Sequence, residues 1–250
     1  MHKYYSFFLF SLFFSVSLQI NAQRLTVGPG NITGTNIAGP FNTAGTSAFS
    51  MYAIIYPAAS LPGILHGDTI QAFDFQRNGA NNAIPGASNC KIWLSNTANL
   101  DFGTGSINFQ AEILNIAAPL VYSGNPSTII GSAIGFTNFD LSTKYEYDTT
   151  KGKNLVFFIE YTQDSFPNTP ILWNCDNNVA VPSYANNQVK FVRDTGTTIP
   201  ANSLSSTSLH PQIRLEIPRE DYDGVILIPY TYGKLPVPVG NPDTLKLRLT

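Results

Sequence analysis

Asn154-Leu155-Val156-Phe157-Phe158-Ile159-Glu160-Tyr161 and Gln212-Ile213-Arg214-Leu215-Glu216-Ile217 are the stretches whose reading decides the fold. In the second, Ile213, Leu215 and Ile217 fall on one side of an extended chain, with Gln212, Arg214 and Glu216 on the other. In the first, Leu155, Phe157, Ile159 and Tyr161 share a side and Glu160 stands opposite. A period of two is what a half-buried strand produces, because successive side chains point to opposite faces of a sheet. It predicts antiparallel strands with one face on a core and one in water, which makes Glu160 a solvated residue. Outward from these, Ser50–Tyr56, Thr69–Phe75, Lys91–Leu94 and Val189–Val192 are further short apolar runs. They are bounded by turn chemistry such as Asn78-Gly79-Ala80-Asn81-Asn82 and Lys151-Gly152-Lys153. Beyond residue 22, no stretch keeps apolar residues three and four apart over ten positions without Gly or Pro, so no helix is expected. Many short strands separated by turns make the class all-β. The long turn regions Ser95–Gly105 and Ser123–Gly131 favour an antiparallel β-sandwich of jelly-roll type over a tight up-and-down barrel.

The chain has 250 residues, 43% of them hydrophobic, enough for a substantial core. Charged residues are 12%, about half the usual ~25%, and 17 Phe and 12 Tyr argue against disorder. A net charge of −2 provides no electrostatic footprint for nucleic acid. The start reads as an address. His2 and Lys3 precede an apolar run from Tyr4 to Val16, and Ser17-Leu18-Gln19-Ile20-Asn21-Ala22 ends on a small residue. That order is a secretory signal peptide over residues 1–22, too short for a membrane anchor of ~20 continuous apolar residues. After its removal no membrane span is expected, and the protein is secreted or held at the cell surface. The sandwich is expected over 23–218. Pro218–Gly224 concentrates charge and reads as a linker, and the strand-like runs after it are too short for a core of their own. Residues 219–250 are thus a linker and the truncated start of a second β domain.

Export sets the chemistry of Cys90 and Cys175. An even count in an oxidising compartment permits one disulfide. It would close a loop of about 86 residues and add about 4–5 kcal/mol in the chain-entropy model. The alternative is two buried thiols. No metal site is expected: the cysteines form no CxxC pair, and beyond the leader the only histidines are His66 and His210. Asp176-Asn177-Asn178 and Asp221-Tyr222-Asp223-Gly224 are compact oxygen clusters, but neither has calcium-loop spacing. No GxSxG elbow occurs, and His66 and His210 both read as turn residues beside strands. Glu112, Glu146, Glu160 and Asp164 are glycosidase carboxylates in number only. No catalytic residue and no cofactor is therefore assigned. Trp93 and Trp173 are the candidates for stacking on a sugar, each weighed against packing in the core. Trp93 alternates with Ile92 and Leu94 and so faces away from them.

The order of the runs carries a resemblance. Ser50-Met51-Tyr52-Ala53-Ile54-Ile55-Tyr56 is followed by Gly67–Phe75, then Cys90-Lys91-Ile92-Trp93-Leu94-Ser95-Asn96-Thr97. Leu120–Gly124, Phe136–Leu141 and Gly152–Phe158 complete the succession. It resembles the jelly-roll, adhesin-type modules of large secreted and surface proteins of Bacteroidota, across Leu25 to Ile217. Cys90 departs from the pattern. The resemblance implies a non-catalytic adhesion or interaction module of a multidomain protein, exported by the type IX secretion system, whose partner is an extracellular protein or a glycan. It implies that Asp223–Thr250 begins an immunoglobulin-like domain and that the chain is a piece of a longer one. Asp68-Thr69-Ile70, Asp148-Thr149-Thr150 and Asp243-Thr244-Leu245 are similar to the O-glycosylation sequon of such exported proteins, marking Thr69, Thr149 and Thr244. The competing reading is a secreted jelly roll that binds or hydrolyses glycans.

Overall fold

The computed structural model describes residues 22–30, 32–34, 40–41, 49–78, 87–163, 171–177, 179–194, 202 and 205–218. The chain divides into a unit of Met1–Glu220 and a unit of Asp221–Thr250. Most of the expected leader, over 1–21, and the expected linker and immunoglobulin-like start at 219–250 lie outside the described residues.

In chain order the elements are β1 (Ala22–Val27), β2 (Ile32–Gly34), β3 (Phe49–Tyr56), β4 (Thr69–Arg77) and β5 (Ser88–Thr97). After the helix α1 (Phe109–Asn115) come β6 (Leu120–Gly124), β7 (Gly135–Glu146), β8 (Asn154–Gln163) and β9 (Trp173–Asp176). The series closes with β10 (Val189–Asp194), β11 (Ser205–Thr207), β12 (His210–Pro211) and β13 (Ile213–Pro218). The strands form two antiparallel sheets, an all-β sandwich as the alternation predicts. The first runs β1-β13-β4-β9-β12, with β2 paired to β9 and β7 paired to β4. The second runs β11-β10-β3-β8-β5-β6.

Register follows the alternation. On β13, Ile213, Leu215 and Ile217 are buried, and Leu215 stands opposite Phe73 of β4. In the second sheet Tyr52 and Ile54 of β3 face Ile159 and Phe157 of β8. These inward faces meet in one hydrophobic cluster that takes in Val27, Phe73, Phe75, Ile92, Leu94, Phe139, Trp173 and Val189. Each large side chain fully removed from water there contributes about 1.5–3 kcal/mol.

Two expectations are corrected. β3 and β8 are not half-solvated: their other faces are buried too, through Phe49, Met51, Ala53, Ile55, Val156 and Phe158. The cover is a helix the sequence reading did not expect. α1 starts where the Asn108 side chain accepts a hydrogen bond from the Ala111 amide at 2.9 Å, an N-cap that satisfies one free donor of the first turn. Phe109 and Ile113, one turn apart, go down onto the second cluster. Seven residues are too few for a periodic signal, so the helix is invisible to pattern reading. Lys190, buried on β10, secures this cover by donating to the Gly105 carbonyl at 2.9 Å and to Asn187 Oδ1 at 3.0 Å. Gln188 Nε2 donates to the Leu100 carbonyl at 3.0 Å. Over β3 and β8 the second sheet is thus covered on both faces.

Candidate functional site

Trp173 is fully buried, with its ring centroid 5.5 Å from that of Phe75 and 6.0 Å from that of Phe41. Its Nε1–H donates to the Pro40 carbonyl at 2.8 Å, so both its apolar body and its polar tip are satisfied inside. The expectation that it could stack on a glycan is overturned: β9 places Trp173 and Cys175 on the inward face. Cys90 and Cys175 are free, buried thiols, so of the two readings the sequence leaves open the bridge is not formed. Cys90 belongs to β5 of the second sheet and Cys175 to β9 of the first. Burial pushes both thiols up, away from the reactive thiolate.

His210 is not a turn residue in solvent. It is fully buried, and its ring lies on that of Tyr184 with centroids 3.8 Å apart. Nδ1 lies 3.0 Å from the Ser208 carbonyl and Nε2 3.1 Å from the Ile55 carbonyl. Burial pushes its pKa down to about 4, so the ring is neutral at pH 7. A neutral imidazole carries one N–H and donates to one of these carbonyls only. Around it stand Tyr56, whose hydroxyl donates to the Pro211 carbonyl at 2.7 Å, and Asp176, its register partner on β9. Asp176, fully buried, accepts from the Gly30 amide at 2.9 Å. It fastens the β1–β2 connection instead of presenting oxygens to a cation. Among the described residues no group of three His, Cys, Asp or Glu side chains could hold a metal ion.

The buried histidine has a measurable consequence. The unfolded ring titrates near 6.5, so as pH falls below that value the unfolded state takes up a proton the folded state refuses. Stability contributed by His210 is present above pH 6.5, is lost between 6.5 and about 4, and is constant below. The loss amounts to about 3 kcal/mol. Urea unfolding of wild type and His210→Gln across pH 4–7 should give curves that converge toward acid. Parallel curves would contradict the burial.

His66 lies at the opposite extreme, exposed, accepting the Thr149 amide on Nδ1 at 3.2 Å, with Asp148 Oδ1 3.9 Å away. The Thr150 hydroxyl and amide hold the Asp148 carboxyl below its usual range. Here the sandwich brings two of the Asp-Thr sequences together. Thr69 opens β4 opposite Glu146, the Gly67 amide donates to the Tyr147 carbonyl and the Tyr147 amide to the Asp68 carbonyl. Thr69 and Thr149 are both half-buried, and Thr244 lies outside the described residues.

The outward faces are of two kinds. On the first sheet Arg24 bridges two carboxylates, Glu216 at 2.9 Å and Asp74 at 3.9 Å. Arg214 binds Asp74 at 2.7 Å while its guanidinium lies 4.0 Å above the Phe136 ring. On the second sheet, beyond the cover, Lys91 pairs with Glu160 at 3.2 Å. The Glu160 side chain is only 8% exposed, which corrects its reading as a solvated residue. The lysine beside it on β5 and Met51 beside it on β3 leave little room for water. Trp93, two residues from Lys91 on the same face of β5, is half-buried and packs on the second cluster. Of the two indoles, this is the one that solvent reaches. Glu112 sits in the first turn of α1 and Glu146 at the exposed end of β7, each on an element of its own. Asp164 lies outside the described residues. A shallow cavity of about 170 Å³ at the start of β5 is lined by Ala87, Ser88, Asn89 and Thr162, none of them a catalytic acid or base. Among the described residues no helix is long and apolar enough to cross a membrane.

No protein-family model matches the chain, and no curated protein matches its sequence. Among solved structures it is similar to the cysteine protease and lectin-like domains of Cwp84, a surface layer associated protein of Clostridium difficile. The identity is 7% and the TM-score 0.38, over 68% of this chain and 32% of that one. A second structure of that clostridial protease, after propeptide cleavage, gives 8% identity and a TM-score of 0.38 over 69% and 36%. The chain thus spans about a third of the length of the proteins it matches, and similarity at this level assigns it to no family.

Proposed function

We propose that the chain is a non-catalytic binding module of an exported, surface-associated protein, acting through exposed sheet faces. One observation carries the reading: the dispersal of the reactive side chains among the described residues. His210 is sealed under Tyr184, the thiols are inside, Asp74 and Glu160 are tied to basic partners, and His66 faces water. General acid–base or nucleophilic chemistry needs such groups within hydrogen-bond reach of one another and of a substrate. Glycan hydrolysis would need a second carboxylate across from the first, whereas the partner of Glu160 is Lys91. The leader-like run over 1–22 supports export. The strand order that resembles Bacteroidota surface modules adds the finer expectations: secretion by the type IX route, an immunoglobulin-like segment within 219–250, further domains, and O-glycosylation at Thr69, Thr149 and Thr244.

The test is to pass the chain over immobilised extracellular polysaccharides and matrix proteins and then to weigh each analyte by mass spectrometry. The expected result is saturable binding of at least one analyte, recovered at its starting mass. An analyte returned cleaved or otherwise altered would overturn the reading.

A further inference from the structure

We infer that the outer face of β5 is a binding patch for a neutral pyranose ring, with Trp93 as the stacking platform and Lys91 and Glu160 as the polar groups beside it. The inference rests on the binding-module reading and gives it a ligand class. Lys91 and Trp93 are two positions apart on one strand face, about 7 Å along the chain. Glu160 is the direct register partner of Lys91 on β8, about 5 Å across. The indole, an ammonium with free donors and a carboxylate thus fall within the footprint of about one sugar ring.

Three features select a sugar. The Trp93 ring is anchored by packing on the second cluster yet keeps a solvent-facing part, so it can lie against the apolar C–H face of a pyranose while its N–H stays a donor. Glu160, buried and 3.2 Å from Lys91, holds the half-exposed ammonium in place, so the donors beside the indole are already oriented and lose little freedom when a hydroxyl binds. The two charges cancel, leaving donors and acceptors for hydroxyl groups and no net attraction for a polyanion. A protein partner would need about 800 Å² of contact on each side. Here Trp93 and its register partner Leu120 of β6 stand beside an ion pair of Lys91 and Glu160.

The experiment uses the full chain and its tryptophan fluorescence, with Trp173→Phe as the background that leaves Trp93 as the only indole. The probes are cellohexaose, chitohexaose, mannohexaose and xylohexaose at millimolar concentrations, with heparin as the polyanion control. At least one neutral hexasaccharide should shift the Trp93 emission, and heparin should not. Affinity, read for the variants by isothermal titration calorimetry, should fall at least about tenfold in Trp93→Ala, equivalent to about 1.4 kcal/mol. It should fall less in Trp93→Phe, which keeps a ring and guards against loss of fold, and should fall in both Lys91→Met and Glu160→Gln. No shift with any neutral probe, or unchanged affinity in Trp93→Ala, would overturn the sugar patch. So would a protein from the matrix panel that competes for Trp93 while the sugars do not. Reducing ends measured in the same samples separate the two claims: sugar cleavage defeats the non-catalytic reading, and absence of binding without cleavage defeats only the patch.

Discussion

Trp173→Ala should lower stability by about 3–5 kcal/mol, the range for deleting a large buried aromatic and a large share of the about 5–15 kcal/mol that holds a domain folded. The indole fills the space between Phe41 and Phe75 on the inward face of β9, and two sheets meeting face to face cannot close over so large a void. The Pro40 carbonyl would also lose its donor, leaving a buried acceptor unsatisfied at a further cost of about 1–3 kcal/mol if no water replaces it. Trp173→Phe keeps most of the volume and forfeits the hydrogen bond, so it should cost markedly less. Trp93→Ala, at a half-buried position, should cost less again. Urea denaturation of the three variants gives the ranking. An equal loss at Trp93 and Trp173 would mean that the two indoles are equally enclosed.

Gly152→Ala should be of similar severity, about 3–4 kcal/mol, for a different reason. Gly152 lies in the turn between β7 and β8 at φ +136°, a conformation that L residues seldom adopt. A Cβ there would sit 2.0 Å from the Thr97 carbonyl carbon and 2.2 Å from the Ala98 nitrogen, and backbone cannot swing aside as a side chain can. The turn is further tied down where Asn96 Nδ2 donates to the Gly152 carbonyl at 3.0 Å. Gly63 is the control. It too has positive φ, +83°, but nothing lies within 4 Å of its virtual Cβ. Gly63→Ala should therefore cost only the backbone strain, about 1 kcal/mol. If the two glycines cost the same, close approach of the Thr97 backbone is not what fixes residue 152.

These positions mark how far the sequence could be read. Strands β13 and β8 announce themselves by strict alternation, and β3 by an unbroken apolar run bounded by Pro57. What alternation leaves out is a cover on the far side of a sheet. Glu160 reads as solvated because it opposes Leu155, Phe157 and Ile159, yet it is buried beside Met51 and Lys91. The segment that contains α1 packs on the same sheet, and its contribution comes from Phe109 and Ile113, spaced for a helix too short to show a period. Lys190 is buried for the same reason, since its acceptor at Gly105 is supplied from 85 positions away. For the candidate site, the alternation of Trp93 with Ile92 and Leu94 correctly turned it outward. The pairing of Lys91 with Glu160 could not be read at all, because it depends on the β5–β8 register. His210 is the opposite case: turn-like surroundings conceal full burial, which long-range contacts with Tyr184 and Ile55 impose. For Trp173 the sequence leaves core packing and sugar stacking both open, and its contact with Phe75 on the inward face decides for the core.

Among the described residues, side chains of both sheets fill the interior between them, and the proposed ligand meets the domain from outside. Cys90 and Cys175 probe that interior from opposite sheets, and titration with Ellman's reagent reads both at once. The structure predicts no reaction in the native protein and two thiols released by denaturant. Fast labelling of either cysteine in the native state would reveal a solvent path into the core. Silence even after unfolding would mean that the two sulfurs are bonded to each other.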